Sequence, residues 1–236
     1  MAGSVVRLGF ALLLGSAVPA WAAEQGVTVV ELFTSQGCSS CPPADAFLGE
    51  LSKRPDVLAL SEHVDYWDYL GWHDPFGSRD ASQRQRAFTR RLGLSYVYTP
   101  QMVVDGSWQA SGADRGTVLR LISDAQATPR IPMSLERSAD GNLSLRLPQT
   151  TLPSPADVWL LRIDPRQLTS VARGENSGRQ IENYNIVRSF THLAKWSGEP
   201  VSVAVPTDTG QNYAFLVQQR DGGTILGAAR IQTPAP

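Results

Sequence analysis

The chain has 236 residues, 42% of them hydrophobic and 18% charged, with a formal net charge of -1. That is enough apolar material for a buried core in one or two domains, and it excludes a disordered or fibrous chain. With near-neutral charge nothing suggests the basic face that binds nucleic acid, so no nucleic-acid partner is expected.

The opening MAGSVVRLGFALLLGSAVPAWAA carries one positive charge at Arg7, an apolar stretch from Leu8 to Val18 and an Ala20-Trp21-Ala22 ending. This is the layout of a secretory signal peptide over residues 1–22, with cleavage expected after Ala22. The apolar run is short against a hydrocarbon layer of about 30 Å. No later segment is longer, so a mature chain without a membrane span, periplasmic or secreted, is expected. Such compartments permit disulfides.

VTVVELFT, Val27 to Thr34, reads as a strand buried on both faces. Ser35-Gln36-Gly37 breaks it and leads to both cysteines, Cys38 and Cys41. Pro42 then suits a first helical turn, with Ala44, Phe47, Leu48 and Leu51 at helical spacing. VLALSEHV, Val57 to Val64, reads as a second buried strand, completing a strand-helix-strand unit.

HVDYWDYLGWHDPF gathers Tyr66, Trp67, Tyr69, Trp72 and Phe76, and a helical stretch from Arg79 to about Leu92 follows; together they read as an insertion. Its aromatics suit either a lid over the sheet edge or a groove wall for a peptide substrate. Asp65 and Asp68 read as turn or capping residues. Arg79, Arg84, Arg86, Arg90 and Arg91 read as a solvated helix face. In YTPQMVVDGSWQASG, a Thr99-Pro100 step opens a short strand at Gln101 to Val104. An Asp105-Gly106 turn leads to a partner strand around Trp108. A helix is expected from Asp114 to about Ala127.

From Arg130 the texture changes. Ile131, Met133 and Leu135 alternate, as do Leu143, Leu145 and Leu147, around a turn at Asp140-Gly141-Asn142. Further runs at VWLLRI, YAFLVQ and ILGAARI predict a small antiparallel β-domain over 130–236. GENSGR, Gly174 to Arg179, reads as a loop.

The two cysteines could be a structural staple, metal ligands or a working dithiol. A bridge across two intervening residues closes too short a loop to restrain the unfolded chain much. Structural zinc needs four ligands, and only His63, His73 and His192 are available. Copper(I) accepts two thiolates with a histidine, so Cys38, Cys41 and His63 remain an alternative metal set. A working dithiol needs a thiolate, and a helix N-terminus lowers a thiol pKa from about 8.5. Cys38 is then the accessible attacking sulfur and Cys41 the sheltered one that resolves the mixed disulfide.

The strand ending VVELFTSQGCSSCPP, the helix and strand after it, and the later YTPQMVVDG resemble the thioredoxin superfamily. With HVDYWDYLGWHDPF and GENSGR added, the chain resembles a family of secreted bacterial thioredoxin-like proteins of unknown function. The resemblance implies an α/β fold: a thioredoxin-like domain over 24–129 with the aromatic and helical insertion, followed by the sandwich-like antiparallel β-domain. It implies that Pro100 is cis and faces the dithiol, and that Thr99 offers its backbone to a substrate chain. Independently of the resemblance, Trp67 and Trp72 of the aromatic stretch are the groove-wall candidates for that substrate. Glu31, seven positions before Cys38, matches the buried acid that passes a proton to the resolving thiol. The implied activity is exported thiol:disulfide exchange without a cofactor, on a protein or small-molecule disulfide or dithiol, with a redox partner in the same compartment. A copper(I)-handling protein and a binding module with a static disulfide are the alternatives.

Overall fold

The computed structural model describes residues 26–137, 143–205 and 211–231. The expected leader, residues 1–22, and the Asp140-Gly141-Asn142 turn lie outside the described residues. β1 (Thr28–Thr34), α1 (Pro42–Leu51) and β2 (Val57–His63) follow one another as the hydrophobic pattern requires. β1 and β2 are parallel, with Thr34 opposite His63. Every residue of both is buried, which is why neither alternates polar with apolar. Pro42 opens α1, where its missing N–H costs nothing. The helix packs Ala44, Phe47, Leu48 and Leu51 on Val30, Leu32, Val57 and Ala59. Truncating a ring such as Phe47 in a core of this kind costs about 3–5 kcal/mol.

A 3-10 turn at Asp68–Leu70 precedes α2 (Arg79–Arg91), whose N-terminus is capped by the Ser78 hydroxyl accepting the Ala81 N–H. Asp65 accepts from the Ser82 hydroxyl and Asp68 from the Asp74 N–H, so both brace this segment. α2 covers the sheet face opposite α1, where Phe88 meets Phe33, Val64 and Val103. β3 (Gln101–Val104) runs antiparallel to β1, and β4 (Trp108–Ser111) antiparallel to β3. α3 (Arg115–Gln126), capped by Asp114, returns to the α1 face through Val118, Ile122 and Ala125.

The remaining strands are β5 (Ser134–Arg137), β6 (Leu143–Leu147), β7 (Ala156–Ser170), β8 (Gln180–Trp196), β9 (Val201–Val205), β10 (Asn212–Gln219) and β11 (Ile225–Ile231). β5, β6 and β9 make a three-stranded antiparallel sheet. Its Leu143, Leu145 and Leu147 pack on Val158, Leu160, Phe215 and Val217 in a sandwich-like layer. The other four join the first sheet, which has eight strands among the described residues, in the order β11-β10-β7-β8-β2-β1-β3-β4. The junction is parallel pairing of β8 with β2, with Ile186 opposite Ser61. Beyond it the sheet curls, and Ala214, Leu216, Ile225 and Ala228 fill a core with Val29, Leu58 and Leu60. The class is α/β with a β-rich C-terminal half, and one sheet runs across residue 129.

β8 also lies against α1. A Cβ on Gly49 would come within 2.4 Å of the Tyr184 ring, so only glycine lets the helix approach this strand. The approach places the β7-β8 connection, residues 171–179, over the start of α1. Among the described residues no helix is long and apolar enough to cross a membrane.

Candidate functional site

Cys38 and Cys41 are joined by a disulfide where the chain leaves β1 and enters α1. The turn is locally built: Gly37 N–H donates to the Ser35 hydroxyl, Cys38 N–H to the Ser35 carbonyl, and Cys41 N–H to the Cys38 carbonyl. Cys41 is the N-cap of α1, and its carbonyl accepts from Ala44 and Asp45. Ser39 and Ser40 face solvent, with the Ser40 hydroxyl 3.3 Å from Cys38 Sγ. The unpaired N–H groups and dipole of α1 would stabilise negative charge on sulfur here.

Both cysteines are fully buried, at 0% exposure. This corrects the expectation of an accessible Cys38; the turn that carries it is also held from far along the sequence. Asn176, itself buried, donates from Nδ2 to the carbonyls of Gln36 and Cys38 at 2.9 Å each. Glu175 accepts the Ser39 N–H at 3.1 Å. The GENSGR stretch is thus a loop, as its turn formers suggest, but one clasped onto the cysteine turn. Gly174 takes φ 75°, and a Cβ there would lie 3.1 Å from Trp72 Cβ. A side chain at that position would be both strained and crowded.

The two tryptophans close the site from the insertion. Trp67 Nε1 donates to Thr99 Oγ1 at 2.9 Å, and Trp72 Nε1 to Gln36 Oε1 at 3.2 Å. The Thr99-Pro100 peptide bond is cis, and Pro100 is buried with Ala44 of α1 against Gly112. Cys38, Cys41, Thr99, Pro100, Trp67 and Trp72 are therefore gathered around the start of α1.

Glu31 is not among them. Val30 and Leu32 face α1, so alternation turns Glu31 to the opposite face. There its Oε1 accepts from Arg84 Nε at 2.5 Å, and Glu62 lies 3.3 Å from the same nitrogen. Arg84 also donates to Gln218 of β10 and stacks on Phe88 and Phe190. This corrects the reading of Arg84 as part of a solvated face; Arg79, Arg86, Arg90 and Arg91 are exposed. Burial, and then the charge of Glu31, push the Glu62 carboxyl well above its usual range.

A different set of titratable groups lies on the α1 face. Asp45, in the first turn of α1, accepts the Thr34 hydroxyl on Oδ1 at 2.9 Å and is buried. Burial pushes its carboxyl up to about 7, while His63 and the Thr34 hydroxyl pull the other way. His63, at the end of β2, is buried and pairs through Nδ1 with Asp74 Oδ2 at 2.7 Å. Asp74 also accepts the Gln36 N–H at 2.8 Å. Burial opposes ionisation of Asp74, but His63 and the N–H groups of Gln36 and Phe76 outweigh it and hold the carboxyl low. Asp45 Oδ2, Ser61 Oγ, His63 Nε2, Asn176 Oδ1 and Asn183 Nδ2 are buried without hydrogen-bond partners. Sequence reasoning singled out His63 as a metal-ligand candidate and passed over Asp45 and Asp74. An acid in a first helical turn ordinarily complements the dipole; the signal that would have found Asp45 is its spacing of four from Cys41.

Among the described residues no group of three or more His, Cys, Asp and Glu side chains is arranged to hold a metal ion. A groove of about 470 Å³ lined by Pro132, Met133, Leu147, Pro148, Pro200 and Val201 sits on the three-stranded sheet, and none of the cysteine-site residues lines it.

Comparison with curated proteins gives no match. Among solved structures, the crystal structure of protein AGR_C_4864 from Agrobacterium tumefaciens, a structural-genomics target, is similar with a TM-score of 0.75 and 32% identity. The match covers 91% of this chain and 96% of that one. Residues 29–218 match the family described as "Protein of unknown function (DUF1223)", and the chain belongs to that family.

Proposed function

We propose that the chain is an exported thiol:disulfide oxidoreductase of thioredoxin-like design, working through Cys38 and Cys41. The observation that carries this reading is the placement of the disulfide at the N-terminus of α1, on the same side of the sheet as a buried set of titratable side chains. Stability is a weak reason for such a bridge, because so short a loop restrains the unfolded chain little. The helix terminus, by contrast, favours the thiolate that exchange needs. In this reading Cys38 is the sulfur that a partner thiolate attacks, and Cys41 leaves and later closes the bond. Thr99, Pro100, Trp67 and Trp72 flank the approach, and the partner is a protein or small-molecule disulfide or dithiol. No cofactor is needed. In this reading the 171–179 loop, bonded to the cysteine turn, releases Gln36 and Cys38 to expose the buried sulfur for exchange.

The test uses single serine variants with a small aromatic disulfide as substrate. Cys38→Ser abolishes exchange, while Cys41→Ser accumulates a mixed disulfide on Cys38 that mass spectrometry detects. Wild-type rates in both variants would overturn the reading.

Complete burial of both sulfurs favours a second reading, in which the bridge is static and the chain is a binding module. It predicts that excess dithiothreitol leaves the bridge closed until the chain unfolds.

A further inference from the structure

We propose that Asp45, with the His63–Asp74 pair behind it, is the group that exchanges a proton with the Cys41 sulfur when the disulfide opens and re-forms. This rests on the exchange reading above and assigns the proton step of the same site. The position matched to the strand acid, Glu31, cannot serve, since it sits on the other sheet face with its Oε1 held by Arg84.

Asp45 is four residues after Cys41, and its N–H donates to the Cys41 carbonyl at 3.1 Å in the first α-turn. Side chains four apart on a helix lie on one face with Cβ atoms about 5–6 Å apart, so Asp45 shares the face of α1 on which Cys41 sits as N-cap. Thr34 occupies Oδ1 and fixes the carboxyl, leaving Oδ2 buried and unpartnered. His63 is the register neighbour of Thr34 on the parallel strand, so it flanks the same space with an unpartnered Nε2. Asp74 holds the other ring nitrogen and also the Gln36 N–H, which ties the histidine to the turn carrying Cys38. The charged groups acting on Asp45 are thus His63 of β2 and Asp74 of the insertion. β1 contributes only the Thr34 hydroxyl. β8 brings the Asn183 amide to Gln36 and, toward the far end of α1, Tyr184 and Glu182.

The step balances as follows. A thiolate from a protein or small-molecule thiol attacks Cys38 Sγ; a new S–S bond forms, the Cys38–Cys41 bond breaks, and the electron pair leaves on Cys41 Sγ. The Asp45 carboxyl gives that sulfur its proton and becomes a carboxylate facing His63. A second thiolate attacks the partner's sulfur in the mixed disulfide and releases Cys38 as a thiolate. The cysteine pair gains two electrons, and the two partner thiols become a disulfide. In reverse, the Cys41 thiol returns its proton to the Asp45 carboxylate before its sulfur attacks. A carboxyl that titrates near neutrality suits this exchange in both directions.

The experiment has two arms. In wild-type protein labelled with carbon-13 at aspartate carboxyls, the Asp45 resonance, assigned by its loss in Asp45→Asn, is titrated with the cysteines oxidised and then reduced by dithiothreitol. Its midpoint shifts on reduction, because a titrating thiol replaces the bridge beside it; the same midpoint in both forms overturns the proposal. In the second arm, the rate of reduction by dithiothreitol is followed against pH. Asp45→Asn slows the reaction about 100-fold and removes the inflection near neutrality, the size expected of a lost general acid, and Asp45→Glu restores the inflection. An Asp45→Asn profile that overlays the wild type overturns the assignment of Asp45 alone. A wild-type bridge that dithiothreitol cannot open in the folded chain overturns this proposal and the exchange reading together.

Discussion

Two clusters of buried acids sit on opposite faces of the same pair of parallel strands, and their neighbours give them different work. On the α2 face, Glu31 and Glu62 close around Arg84, which reaches on to Gln218 of β10. That cluster spans the first and last parts of the curled sheet and is a structural clasp. On the α1 face, Asp45 and Asp74 lie around His63; both clusters keep buried polar atoms without hydrogen-bond partners, but this one sits at the end of α1 that carries the disulfide. The first cluster spends its charges on holding strands and a helix together; the second keeps a carboxyl near neutrality beside a disulfide. A buried acid close in sequence to a cysteine is therefore no guide to chemistry until the strand's alternation shows which face it occupies.

The comparison breaks most readily at Arg84. Arg84→Met leaves two buried carboxyl groups without their counter-charge and is expected to cost about 3–5 kcal/mol in urea denaturation, with the reduction rate of the remaining folded protein unchanged. A loss under about 1 kcal/mol, the range of an exposed pair, would show that this cluster is not a clasp.

The Asp45 side is sharpened by pH. Its carboxyl is raised to about 7 from an ordinary value of 3.8. Between those values the folded chain binds more protons than the unfolded one, so stability from this group is present at low pH and is lost as pH rises through about 7. Asp45→Asn cannot titrate and still accepts the Thr34 hydroxyl. Its stability relative to wild type should therefore climb from pH 4 to pH 8, by roughly 3 to 4 kcal/mol at about 1.4 kcal/mol per unit. A difference that stays flat across this window would remove the raised carboxyl.

Smaller changes probe the cover. Asn176→Ala deletes two buried hydrogen bonds and is expected to cost about 2 kcal/mol while speeding reduction of the bridge by dithiothreitol. An unchanged reduction rate would mean that the 171–179 loop does not gate it. Smallest is Thr34→Val, which removes one bond to Asp45, costs about 1 kcal/mol and moves the Asp45 midpoint further upward.

The strand-helix-strand unit around the cysteines was legible because its signals are local: a β-branched run, Pro42 at the helix start, and Phe47, Leu48 and Leu51 at helical spacing. The runs that became β7, β10 and β11 were legible for the same reason. β8 was not, since QIENYNIVRSFTHLAKW mixes polar and apolar residues, has register irregularities against β7, and includes Asn185 at φ 47°. Yet β8 joins the two halves and follows the loop that is bonded to the cysteine turn. The Cys38 carbonyl is held by Asn176, 138 residues away, and nothing near FTSQGCSSCPP could announce it. Arg84 looked like its neighbours on α2 because an inward arginine is set apart only by Glu31 and Glu62, which belong to other elements.

The most direct measurement is equilibration of the folded chain in a series of dithiothreitol redox buffers, with the cysteine state read by alkylation and mass, and folding followed in parallel by circular dichroism. The account predicts a reversible two-electron transition at Cys38 and Cys41 while the fold stays intact. A bridge that stays closed in every buffer until the chain unfolds would contradict it.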